Sequence, residues 1–335
     1  MCLNFCMKKP PYFDFTCTSG YFSKYLLLFN YIIMIQNQKI CLITGATSGI
    51  GLVTALELAR MNYHLILVAR NKEKVEETIR YIRHQTICDK RYAISECKID
   101  YFLCDLANLD EVRNVADKIG KKYPSINILI NNAGIFIKDH SVTKEGCETQ
   151  LAVNYLSPFL LTNLLLPNLK NGLPSRIINV SSLAHKNVSL NLENMVHRKL
   201  CENPEDAYAS SKLALIMFTY QLAEKMKNSG ITVNAVCPGG VATDIWRHNK
   251  DIKAQIAKIS MSLLKTPEQA ARILVYLATS PELEKVTGKY FAVPSHSRFI
   301  PYDVKKCETK SSPESYDQKK SQQLWEISEK LVGIS

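Results

Sequence analysis

What this 335-residue chain lacks narrows it quickly. Its 11 cysteines form no CxxC pair and keep no zinc-finger spacing with histidine. That excludes a dithiol redox motif or a zinc ribbon and suits reduced, mostly buried thiols in a protein facing the cytosol. No HExxH and no clustered His/Cys set is present, so no metal is expected. No GxSxG elbow accompanies any serine, which leaves a hydrolase triad through His185 without its nucleophile. Lysines and arginines number 42 against 31 acids, a net charge of +11, yet no block of five or six basic residues marks a nucleic-acid arm. The spread excess suits an anionic cofactor or anionic lipid rather than nucleic acid. No repeat of solenoid period occurs, and no Pro/Gly/Ser-rich linker interrupts the chain after residue 39. No apolar run reaches the roughly 20 residues a bilayer-spanning helix needs.

What is present is an alternation. At 46% hydrophobic and 22% charged the chain can bury a sizeable core. Short apolar runs at residues 39–44, 64–69, 98–103, 126–130, 176–181, 231–236 and 289–293 alternate with helical patterns such as 51–61, 73–84, 109–123 and 207–228. Near-continuous apolar strands separated by helices predict a doubly wound (Rossmann) α/β domain, a mostly parallel seven-stranded sheet covered on both faces. One domain is expected over residues 39–301. Residues 302–313 read as a mobile, Lys-rich tail, and the spacing of Leu324, Trp325, Ile327, Ser328 and Leu331 predicts a closing helix.

Residues 1–38 form an N-terminal extension whose apolar run, 25–35, contains one Asn. Three readings stand: an interfacial membrane anchor, a cap on the domain, or an inert extension with Met34 as an alternative start. Localisation follows from that choice, an endoplasmic reticulum membrane facing the cytosol or the cytoplasm.

Thr44-Gly45-Ala46-Thr47-Ser48-Gly49-Ile50-Gly51 follows a strand and opens a helix. Glycines there permit a tight turn and close approach of backbone to a pyrophosphate, whose charge the helix N-terminus favours. Arg70 closes the second strand where an NAD binder carries an acid, so NADP(H) is favoured over NAD(H). Tyr208 and Lys212 stand four apart on one helical face. A phenol of pKa about 10 is a poor base at neutral pH, and a neighbouring ammonium lowers that value. Ser181 and Ser182 end the fifth strand, Asn131-Asn132-Ala133-Gly134 the fourth, and Asn154 lies in the next helix. All fall at the carboxyl edge, where ligands of open α/β sheets bind.

Together with Asp105-Leu106 and Pro238-Gly239, with Val241 and Thr243 after them, these motifs resemble the short-chain dehydrogenase/reductase family from about residue 39 to 301. Within it the strings around Asn154 and Ser182, the 276–291 segment and the spacing of 26 residues from Ser182 to Tyr208 resemble the retinol dehydrogenase-like, NADP-preferring microsomal group. The resemblance implies Tyr208 as acid/base, Lys212 tuning it and holding the nicotinamide ribose, and Ser182 orienting the substrate oxygen. It implies Asn154 anchoring a relay water. For the cofactor it implies contacts from Gly45, Thr47, Ser48, Gly49, Ile50, Gly51, Arg70, Asp105, Leu106, Asn132, Ala133, Gly134, Pro238, Gly239, Val241 and Thr243. A lipophilic alcohol or carbonyl substrate and a homodimer through the helices flanking Tyr208 are implied too. A nucleotide-binding scaffold without turnover is the alternative that the sequence leaves open.

Overall fold

Strands without a polar face must be covered on both sides, and that requirement organises the molecule. The computed structural model describes residues 38–88, 97–196, 203–241, 265–294 and 302–334; the run 25–35, Thr243 and residues 197–202 lie outside them. From Lys39 onward the chain forms one unit. The strands are β1 (Ile40–Thr44), β2 (His64–Ala69), β3 (Ile99–Leu103), β4 (Ile128–Asn131), β5 (Ser175–Val180), β6 (Ile231–Cys237), β7 (Tyr290–Ala292) and β8 (Glu308–Thr309). They form one sheet of order β3-β2-β1-β4-β5-β6-β7-β8. The expected doubly wound fold is present, with eight strands rather than seven. β1 to β7 are parallel and β8 lies antiparallel on β7.

The period-2 alternation of each strand divides the core. Cys41, Ile43, Leu65, Leu67 and Val236 face one layer, built from α1 (Gly49–Arg60), α2 (Lys72–Cys88) and, later in the chain, the helix Pro267–Thr279. Leu42, Ile66, Leu129, Ile177 and Val233 face the other, which begins with α3 (Leu109–Lys122). α4 (Ser157–Asn171) follows Thr149–Leu151 and a π turn at Ala152–Leu156, and completes that side with α6 (Pro204–Lys225), the short α5 (Leu192–Val196) lying between them. The helix at Pro267–Thr279 is α7, and α8 (Gln318–Val332) ends the chain. Among the described residues no helix is long and apolar enough to cross a membrane.

The expectation of a mobile tail at 302–313 is corrected. β8 extends the sheet, Cys307, Ser311 and Ser312 are buried, and the Ser311 hydroxyl bonds the Tyr220 hydroxyl at 2.7 Å. A Lys-rich composition hid this because the lysines point outward while the small residues between them pack. The closing helix is longer than its apolar spacing implied. Asp317 caps α8 through Lys320 N–H, and Trp325 packs on the Phe159–Phe218 pair, ring centroids 4.9 and 5.7 Å away.

β1 and β4 are neighbours, although the chain leaves β1 toward β2 and β3 and returns past it. Their carboxyl ends flank the crevice at which doubly wound sheets bind ligands.

Candidate active site

At the end of β1 the chain turns through Gly45 and Gly49, both left-handed at φ +68° and +55°. Such backbone favours glycine. Gly51, in the first turn of α1, is set closer still: a Cβ there would lie 2.3 Å from the Gly45 carbonyl oxygen and 2.5 Å from Asn132 Nδ2. The second turn is tied to the first. Thr44 Oγ1 accepts from the main-chain N–H of Asn132 and Ala133, at 3.1 and 3.0 Å. Asn132 Nδ2 in return donates to the Thr44 and Gly45 carbonyls, at 3.0 and 2.9 Å.

Ser48, the N-cap of α1, makes no side-chain cap bond, and the first turn holds no acid. The N-terminal amides of α1 therefore have no anion of their own. A cradle that a Cβ would fill, beside such a helix end, fits a pyrophosphate. Thr47 and Ile50 are partly buried in the same turn, and Arg70 is exposed directly after β2. Asp105 follows β3 with Oδ1 accepting from Ala107 N–H at 3.0 Å, and the Leu106 carbonyl accepts from the Ser157 hydroxyl.

Across the crevice, α6 presents Tyr208 and Lys212 on one face. The Lys212 ammonium is buried, lies 5.7 Å from the Tyr208 ring centroid and donates to the Val180 carbonyl at 3.0 Å. A Cβ at Gly134 would come within 3.0 Å of that ammonium and 3.3 Å of Asn154 Oδ1, so the glycine admits both. Asn154 sits in the π turn with its side chain hydrogen-bonded. Its Oδ1 accepts from Ile135 N–H at 2.8 Å, and its Nδ2 donates to the Ile135 carbonyl and the Ser211 hydroxyl, each at 3.0 Å. Ser211 passes the connection to the Tyr208 carbonyl at 2.7 Å.

The two serines separate. Ser181 is buried and donates to the Lys212 carbonyl at 3.0 Å, while the Ser182 hydroxyl faces the Tyr208 phenol. The asparagines separate too. Asn131 is a core residue donating to Thr162 Oγ1 and Asn179 Oδ1, whereas Asn132 belongs to the turn.

The electrostatics differ from the expectation. Burial pushes the Tyr208 phenol up to about 12; the Ser182 hydroxyl pulls the other way, and the Cys237 thiol adds to the rise. Burial lowers Lys212 to about 8. Desolvation is the largest influence among the protein's own groups, and the phenol is a protonated donor at neutral pH.

Sequence reasoning passed over three residues. Phe136 stands edge-on to Tyr208, centroids 5.7 Å apart; its signal was its place two residues beyond Gly134. Ser211 lay unremarked between Tyr208 and Lys212. His185 was weighed only for a triad. It is fully buried between Ser182 and the C-terminal segment: Nε2 accepts from Ser312 N–H at 3.1 Å, so Nδ1 carries the proton and donates to the Ser182 carbonyl at 2.6 Å. The ring packs edge-on to Tyr290, centroids 5.1 Å apart.

Burial lowers the His185 pKa; the Ser182 carbonyl opposes that and Lys186 adds to it. The neutral ring's contribution to stability is complete above an ordinary histidine value of about 6.5 and declines as pH falls toward the lowered one. His185→Leu strands both main-chain partners and should cost about 2–4 kcal/mol in chemical denaturation, with the acid-side decline flattened. A loss below about 0.5 kcal/mol would contradict the assignment, since each stranded group alone should cost about 1–3.

Past β6, Pro238 is buried, Gly239 is left-handed at φ +85°, and Val241 forms an isolated bridge with Lys265.

The sequence profile described as short chain dehydrogenase matches residues 39–253. Retinol dehydrogenase 13 of Homo sapiens is 38% identical over 301 residues, 88% of this chain and 85% of that protein. Polyprenol dehydrogenase of Homo sapiens is 36% identical over 305 residues, 89% and 86% of the two chains. A crystal structure of a Mycobacterium paratuberculosis protein matches with TM-score 0.68 and 29% identity, covering 88% of this chain and 94% of that one. An actinorhodin polyketide ketoreductase crystallised with NADPH matches at TM-score 0.60 and 25% identity, over 78% and 97%.

Proposed function

The chain belongs to the short-chain dehydrogenase family, and from that premise we propose that it is an NADP(H)-dependent oxidoreductase for a lipophilic alcohol or carbonyl compound, retinoid-like or another apolar aldehyde or ketone. The observation that carries this reading is the placement of Tyr208, Lys212 and Ser182 at the carboxyl edge, facing the turn that Gly45, Gly51 and Asn132 build.

The bound nicotinamide supplies the carrier for hydride. The chain's own residues do the rest. The α1 amides with Gly45, Thr47, Ser48, Gly49, Ile50 and Gly51 would hold the pyrophosphate, and Arg70 would meet the 2′-phosphate. Asp105 and Leu106 would border the adenine, Asn132, Ala133 and Gly134 the ribose, and Pro238, Gly239 and Val241 the nicotinamide; the family resemblance adds Thr243, which lies outside the described residues. Tyr208, protonated at neutral pH, gives its proton to the substrate oxygen in reduction and recovers it in oxidation. Ser182 donates to the same oxygen as charge develops there. Lys212 favours the phenolate as it forms and would hold the nicotinamide ribose. Both Asn154 Nδ2 hydrogens are spent on Ile135 and Ser211, which leaves the second lone pair of Oδ1 to hold a relay water.

A lipophilic substrate is supported by Phe136 against Tyr208 and by Leu183, which is 40% exposed beside Ser182. The names of the human relatives, a retinol and a polyprenol dehydrogenase, agree with it.

The test is turnover of purified protein with NADPH and NADH over a panel of apolar aldehydes and ketones. Faster NADPH oxidation is expected, and no turnover with either cofactor on any substrate would refute the reading. Arg70→Ser should raise the KM for NADPH about 10–100-fold, the loss of one charge-assisted phosphate contact, and leave that for NADH unchanged. An equal rise for both cofactors would place Arg70 away from the 2′-phosphate.

A further inference from the structure

We propose that Lys265 is a cofactor-binding residue whose ammonium donates to a phosphate oxygen on the nicotinamide half of the bound dinucleotide. The proposal rests on the cofactor reading above and extends it to a residue outside every motif of the sequence.

The backbone of Lys265 is pinned to the loop after β6. Its N–H donates to the Gly240 carbonyl at 3.0 Å, in the bridge with Val241, one residue before Thr266 caps α7. From there the side chain runs back along the Pro238-Gly239 turn. A Cβ at Gly239 would lie 2.5 Å from its Nζ, 3.2 Å from Cε and 3.4 Å from Cδ. The left-handed φ requires Gly239, and its missing Cβ leaves room for the lysine tip.

That side chain is buried, and its ammonium, which keeps a trace of accessible surface, has no protein partner among the described residues to offset the charge. Lys265 is 3% exposed, and among the described residues its Nζ has neither a hydrogen-bond acceptor nor a carboxylate within ion-pair range. The ionisable neighbour it does feel is Cys237, whose own burial raises the thiol pKa and keeps it neutral. Cys237 acts on Lys212 as well, so two buried cations border one thiol at the end of β6. Lys212 has the Val180 carbonyl; Lys265 has nothing comparable. Burial holds its pKa below the usual lysine value.

Leaving a cation buried and unpaired is costly, and the residue adds nothing to α7, whose N-terminus disfavours positive charge. A protein retains such a group where a ligand brings the missing anion. The loop against which Nζ lies is the one assigned above to the nicotinamide, and the anion carried by that half of the dinucleotide is its phosphate. A lipophilic substrate carries none.

The test measures NADPH affinity by calorimetry and thermal unfolding of the full chain, with and without NADPH, for wild type, Lys265→Met and Lys265→Gln. Met should raise the dissociation constant about 10–100-fold, the loss of one charge-assisted contact, and Gln should do the same because the partner is ionic. Without added cofactor the Met variant should melt at the wild-type temperature or above it, since an uncompensated charge is gone. The upward shift that NADPH gives should shrink in both variants.

Wild-type affinity in the Gln variant would assign the contact to a neutral acceptor and overturn the proposal. So would a lower melting point of the Met variant without cofactor, the mark of a structural strut. Unchanged affinity in both variants overturns this inference alone, whereas a wild-type chain that binds neither NADPH nor NADH overturns the cofactor reading with it.

Discussion

Tyr208→Phe is expected to lower turnover at least about a thousandfold while NADPH binds as tightly as before, because a positioned acid/base supplies about 10²–10⁴ in rate. The change deletes one oxygen. The ring keeps its edge contact with Phe136 and its place below the Lys212 ammonium, so neither packing nor the cradle is disturbed. No second acid stands ready among the described residues: the Ser182 hydroxyl can hydrogen-bond the oxygen but holds its own proton too tightly to give it up, Ser181 is turned to the α6 main chain, and both Asn154 amide hydrogens are spent. Steady-state rates with calorimetric NADPH binding measure it, and a variant within tenfold of wild type would remove the phenol from the chemistry.

The pH dependence carries a sign as well. With the phenol near 12, carbonyl reduction should stay flat through neutrality because the donor is always loaded. Alcohol oxidation needs the phenolate and should climb with pH.

Gly51→Ala is the second large effect. The added methyl would meet the Gly45 carbonyl oxygen at 2.3 Å and Asn132 Nδ2 at 2.5 Å, and the first of these is backbone that cannot swing away. Relief requires the glycine turn to open and the Asn132 bonds to Thr44 and Gly45 to lengthen. A stability loss of about 2–4 kcal/mol is expected, in the range of overpacking with a broken buried contact. NADPH affinity should fall more than about tenfold, since the amides of the turn lose their common aim. Gly120→Ala is the control: its methyl would meet the Asn168 side chain at 3.3 Å within helix α3, so it should leave affinity unchanged. Equal behaviour of the two variants would show that close approach at Gly51 has no special role.

The sheet was legible because each parallel strand is an apolar run bounded by polar turns. Residues 64–69 were placed without error, and 126–130 shifted to Ile128–Asn131 because Ile126 is buried just ahead of the strand. The short motifs at the strand ends were legible for a related reason: a group of the crevice comes from a few residues beside a strand, so sequence position already gives spatial position.

What escaped depended on contacts distant in sequence. Nothing local to Glu308-Thr309 announces an edge strand, and nothing local to Ser312 announces a histidine 127 residues away. The rise at Tyr208 was not legible because the ammonium could be counted from the sequence and the burial could not. Lys265 belongs to none of the motifs, since only the fold lays it against Gly239.

The C-terminal segment also changes where the catalytic unit ends. Cropping the chain at residue 301, where the motifs stop, would leave β7 an unpaired edge open to intermolecular strand addition. It would uncover the Phe159–Phe218 pair on which Trp325 packs and take away the Ser312 amide on which His185 rests. Protease trimming, a premature stop codon or a shortened expression design would therefore wound the reactive serine's support from more than 100 residues away, and the last turn of α8 is a safer limit for any minimal version of this protein.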